Sequence, residues 1–126
     1  FKTNIEAPNA FKVVSDNKTD LEFPVKVSVD SDRLGANIIC FAVNLTAPRN
    51  SIFEAQKKGK RLSRDVVETL LRLNNQNGVN CRIGLDVLFH VWVKSDQLLD
   101  TLDADECVAA IRNIQKMSAR VKKILI

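Results

Sequence analysis

Five cations, Lys57, Lys58, Lys60, Arg61 and Arg64, crowd the approach to a helical pattern that begins at Ser63. Ammonium and guanidinium groups beside the free N–H groups of a helix N-terminus converge on one anion, so the chemistry this cluster offers is phosphate binding. Helix stability does not explain the placement, because a cation at the positive end of the helix dipole costs roughly a few tenths of a kcal/mol. A second series, Arg112, Lys116, Arg120 and Lys123, lines one face of the last helical segment. The dipole favours cations toward a helix C-terminus, so that series is equally well read as stabilising.

Catalytic chemistry finds little to work with. His90 is the one histidine. Asp86, the carboxylate nearest to it in sequence, is about 13 Å away if the chain between them is extended, beyond hydrogen-bond reach. Cys40, Cys81 and Cys107 show no C-x-x-C spacing, which suggests neither a disulfide framework nor a zinc site. The four glycines form no phosphate-binding motif. Asp96, Asp100, Asp103, Asp105 and Glu106 lack the spacing and the glycine of a calcium loop. The expectation is a protein that is not an enzyme and uses no metal or cofactor.

Leu88, His90 and Trp92 form a third feature. They alternate on the side of a strand pattern that is otherwise polar, and large residues there imply a second packing partner. That partner is either another part of this chain or a second copy, with the three residues at the interface. The chain has no tyrosine and one tryptophan, so base stacking on aromatics has little material, and contact with nucleic acid would run through backbone phosphates.

The elements that must position these groups follow from periodicity. The N-terminal twenty residues show no clear period and read as an irregular arm, with a short strand conceivable at "FKVV". From Leu21 to Val29 every odd residue is apolar, a half-buried strand, and Pro24 inside it argues for a sheet edge. Asn37 to Ala47 reads as a second strand. A helix is expected over 63–76, with Ser63 as N-cap and Gly78 just past the end.

From Val79 to Lys94 the odd positions are again all apolar. The parity does not slip at Gly84, which favours one long bent strand over a hairpin. "SDQLLDTL" reads as a helical turn or two. The last helix is expected from Asp103, which has capping-box spacing to Glu106, with a stripe of Val108, Ile111, Ile114, Met117, Val121 and Leu125.

The order β-β-α-β-α predicts an α+β fold: a mainly antiparallel sheet of three strands or slightly more, with two helices packed on its odd-numbered face. At 126 residues and 14.1 kDa the chain is expected to be a single domain over 1–126. No apolar run reaches the ~20 residues that span a bilayer. Unpaired cysteines favour an intracellular compartment, cytoplasm or nucleus. A net charge of +4 with a pI near 9.1 tilts toward acidic partners.

Two functions compete on these grounds. The first is nucleic-acid binding, to RNA or single-stranded DNA, through Lys57, Lys58, Lys60, Arg61, Arg64, Arg112, Lys116, Arg120 and Lys123, with an anionic membrane surface as a related partner. The alternative is a self-associating structural or scaffold protein, such as a coat, matrix or complex subunit. It would assemble as a homo-oligomer through the sheet face and edge strands.

Overall fold

The computed structural model describes residues 2–7, 10–14, 23–31, 35–45, 62–76, 81–86 and 90–125. Six strands and two α-helices are formed: β1 (Lys2–Ala7), β2 (Ala10–Val14), β3 (Val25–Ser31), β4 (Asn37–Asn44), α1 (Arg64–Gln76), β5 (Arg82–Leu85), β6 (Val91–Leu98) and α2 (Ala104–Leu125), with a 3-10 turn at Leu99–Thr101. The strands build one sheet in the order β1-β2-β3-β4-β6-β5, antiparallel at every pairing. The α+β class is as the sequence predicts, but the sheet is larger. No helix among the described residues is long and apolar enough to cross a membrane.

Register explains how alternation becomes a core. Val13 pairs with Val25, Val27 with Phe41, Val43 with Val93 and Ile83 with Val93. Apart from Ala7 opposite Ala10, after a register shift, each pair joins residues of like parity. Side chains alternate between faces along a strand, so the odd residues of the six strands, Ala7 excepted, share one face. Val25, Val27, Phe41, Val43, Leu45, Val91 and Val93 are fully buried there. α2 lies over β4 and β6 and adds Ala110, Ile111, Ile114, Met117, Ser118 and Val121 to the core. α1 adds Leu70 and Leu73. Of the expected α2 stripe, Val108 instead faces solvent at 39% exposure.

Both helix starts form as their sequences predict. The Val66 amide donates to Ser63 Oγ at 3.3 Å, and the Glu106 amide donates to Asp103 Oδ1 at 2.8 Å. Gly78 lies outside the described residues.

Four expectations are corrected. The N-terminal arm holds the strand conceivable at "FKVV" as β2 but also a second strand, β1, paired with it; Ile5, the one large apolar residue of β1, is 85% exposed, so backbone pairing and not burial holds it. Pro24 precedes β3 instead of interrupting it, and β3 sits inside the sheet between β2 and β4. Val79 to Lys94 is not one bent strand: β5 and β6 form an antiparallel hairpin that reverses between Asp86 and His90. A hairpin that pairs odd with odd keeps parity through its turn, so parity alone cannot reveal it. Finally, "SDQLLDTL" continues β6 to Leu98 before turning.

Candidate functional site

An apolar cleft lies where α1 meets the β5 edge. Leu62, Val67, Leu70, Leu71, Ile83, Leu85 and Val91 line this half-open cleft of about 90 Å³. Leu71 is 62% exposed and Leu85 is 50% exposed. Two leucines left in water on facing elements form the kind of apolar patch that marks an interaction surface. The sequence placed Leu71 beside the α1 stripe and Leu85 on the odd face, but gave no sign that either would stay uncovered.

Asn74 organises that edge. Its Oδ1 accepts the Ile83 amide hydrogen at 3.1 Å, and its Nδ2 donates to the Ile83 carbonyl at 3.4 Å. An edge strand normally offers such groups to any passing strand. At Ile83 they are already occupied. Gln115 of α2 repeats the arrangement on the segment before β3, its Oε1 accepting the Phe23 amide hydrogen at 3.1 Å and its Nε2 donating to the Phe23 carbonyl.

On the opposite, even face, Asp86 joins the two ends of the β5–β6 turn. Its carboxylate accepts the His90 amide hydrogen at 2.9 Å and the Trp92 indole N–H at 2.9 Å. His90 Nδ1 lies 3.5 Å from Asp86 Oδ2 and 3.5 Å from Asn44 Nδ2. The hairpin thus brings together two residues that an extended chain would hold far apart. The contact ties Asp86 to His90 and Trp92, with no nucleophile set beside it among the described residues.

Farther along this face Arg82 pairs with Asp96 at 2.8 Å, and Lys94 Nζ sits 5.1 Å over the Trp92 ring. The Cys40 thiol is pushed up to about 11, by burial first and then by its hydrogen bond to Asp96. Burial likewise raises Cys81 and Cys107. All three cysteines are free, and thiols held protonated are poor nucleophiles and ligands. No group of three metal-ligating side chains occurs among the described residues.

Of the expected phosphate site, only Arg64 lies among the described residues. Lys57, Lys58, Lys60 and Arg61 lie outside the described residues, as does Leu88 of the expected interface. Arg64 is exposed and paired with Glu68 at 2.9 Å. Of the first amides of α1, Val66 donates to Ser63 Oγ and Val67 to the Ser63 carbonyl, so neither waits for an outside anion. Arg112, Lys116, Arg120 and Lys123 are exposed on α2, in the helical layer. His90 and Trp92 are half-buried in the Asp86 turn.

No protein-family model matches the chain, and no curated protein does. Its fold is similar to that of a chain in the heterodimeric ExoU–SpcU complex from the type III secretion system of Pseudomonas aeruginosa, with a TM-score of 0.63 over 94% of this chain and 84% of that one, at 12% identity. It is also similar to a chain in the ExsC–ExsE complex, with a TM-score of 0.50 over 92% of this chain and 75% of that one, again at 12% identity. At such identity the likeness is one of fold. It corrects the nucleic-acid expectation, because both comparison folds are seen in complexes of protein with protein.

Proposed function

We propose that this chain is a non-catalytic, partner-binding subunit of a protein complex, of the chaperone kind that holds a segment of another polypeptide. The α1–β5 cleft is where that segment seats. The observation that carries this reading is the exposure of Leu71 and Leu85 on the two walls of one apolar cleft. Fully burying a leucine side chain contributes ~1.5–3 kcal/mol, so two leucines left half in water hold back stabilisation that a partner can supply.

Size argues for a polypeptide over a small molecule. Ligand pockets usually enclose ~300–1,000 Å³, against about 90 Å³ here, which suits an apolar side chain inserted from a larger surface. Because Asn74 already holds both polar groups of Ile83, recognition at that point works through side-chain packing and not through an added strand. The fold's occurrence in two protein–protein complexes, one of them a secretion-system heterodimer, supports the same reading.

Capture of the tagged chain from cells that express it provides the test, with wild type compared against Leu71→Glu/Leu85→Glu. Wild type retains a second polypeptide in near-stoichiometric amount, and the double variant, still folded by circular dichroism, loses it by about tenfold or more. A wild-type eluate with no second polypeptide, or equal retention by the variant, contradicts the proposal.

A further inference from the structure

The even face of the sheet carries a row of cations that the proposed cleft does not use. Lys12 pairs with Lys26, Lys26 with Ala42, Ala42 with Lys94 and Lys94 with Arg82. Four basic residues and one alanine therefore stand in line across five adjacent strands. At ~4.8 Å per strand the row spans about 19 Å. Both helices pack on the odd face, and Lys26 and Arg82 are exposed.

Sheet stability does not account for this row. Like charges directly opposite one another on a sheet face are destabilising, and here that happens twice, at Lys12–Lys26 and at Arg82–Lys94. Asp96 offsets one member through its contact with Arg82 at 2.8 Å, the Trp92 ring lies under another, and Lys12 has an interaction of its own, so the excess charge is centred on Lys26. Asp30 of β3 stands two rows away from Lys26, at the level of Ile38 and Leu98, and Asp86 is held by the Trp92 indole.

Resting on the partner-binding reading above, we propose that this row binds an extended acidic segment of the partner protein, laid across the strands. Carboxylates along about six extended residues match the length of the row, at ~3.3 Å per residue. The segment reaches it around the β5 edge: Leu85 faces the cleft, while Arg82, three residues earlier on β5, faces the row. One polypeptide can therefore place an apolar side chain in the cleft and continue over Arg82, Lys94, Lys26 and Lys12. The Trp92 ring beside Lys94 adds a flat apolar contact next to the charges.

The probe is a fluorescein-labelled peptide of alternating Glu and Ser, with a Lys–Ser peptide and an oligo-dT strand as comparisons, read by anisotropy and by emission of Trp92, the chain's one tryptophan. The Glu–Ser peptide binds at about 50 mM salt and is released as salt rises well above 150 mM. Lys12→Glu/Lys26→Glu weakens it by about tenfold or more, and Lys26→Gln weakens it less. Failure to bind the Glu–Ser peptide, equal binding by the lysine variants, or equal binding of oligo-dT overturns the proposal. If the cleft variant loses its captured partner while the peptide still binds, both readings stand; if the partner is retained by the cleft's leucines and no peptide binds, only the acidic-segment reading falls.

Discussion

Asn74 on α1 meets Ile83 on β5 as one peptide group meets another, accepting from its amide at 3.1 Å and donating to its carbonyl at 3.4 Å. One side chain thereby joins the helix to the sheet edge and fixes the cleft walls that carry Leu71 and Leu85. Asn74→Ala should lose both bonds and lower stability by about 1–2 kcal/mol, measured by urea unfolding. Amide exchange at Ile83 should accelerate. Unchanged exchange there would show that the side chain does not hold the edge.

Asp86 performs the same service at the other end of the hairpin. Asp86→Ala leaves the Trp92 indole N–H and the His90 amide without their acceptor, at a cost of about 1–3 kcal/mol. Trp92 emission should move to the red as the ring loosens into water. An unaltered spectrum would mean the ring is held by packing alone.

Cys40 predicts a pH dependence of defined sign. Its thiol ionises only at about 11, against an ordinary 9.0, because burial and the Asp96 carboxylate both favour the neutral form. The unfolded chain therefore loses this proton first. Stability from this group is complete below pH 9.0 and is lost as pH rises toward about 11. Asp96→Asn should bring the thiol down and speed its alkylation at mildly alkaline pH by about threefold or more, followed by peptide mass spectrometry. Slower alkylation would refute the assignment.

Ser118 is fully buried on α2, and its hydroxyl has no hydrogen-bond partner among the described residues. A buried hydroxyl without a partner costs about 1–3 kcal/mol. Ser118→Ala should accordingly raise the urea midpoint. A lowered midpoint would mean that the oxygen is satisfied in solution.

Alternation made much of this fold legible. The apolar odd residues of 25–31, 37–44 and 91–93 do form one buried face, and Ser63 and Asp103 do cap their helices, because each signal is local and needs no knowledge of the partner strand. What escaped depends on pairing. β1 carries one large apolar residue, the exposed Ile5, so it has no hydrophobic period to read. The β5–β6 turn conserves parity, and with the reversal went the contact between Asp86 and His90. The cleft was invisible for a related reason: Leu71 and Leu85 look like ordinary core residues until the elements around them are seen to stop short of covering them. The basic row of Lys12, Lys26, Lys94 and Arg82 comes from four separate strands, so only register assembles it.

The basic cluster before α1 points to phosphate in the sequence because cations beside free helix amides suit an anion. In the described part of the helix start, Ser63 takes the Val66 and Val67 amides and Glu68 pairs with Arg64.

Hydrogen exchange of the chain alone and in its captured complex addresses partner binding at α1–β5 without any substitution. Protection should concentrate on α1 around Leu71 and on β5 around Leu85, with the outer face of α2, at Arg112, Lys116 and Arg120, unchanged. Protection confined to that outer face, with α1 and β5 exchanging as in the free chain, would contradict it.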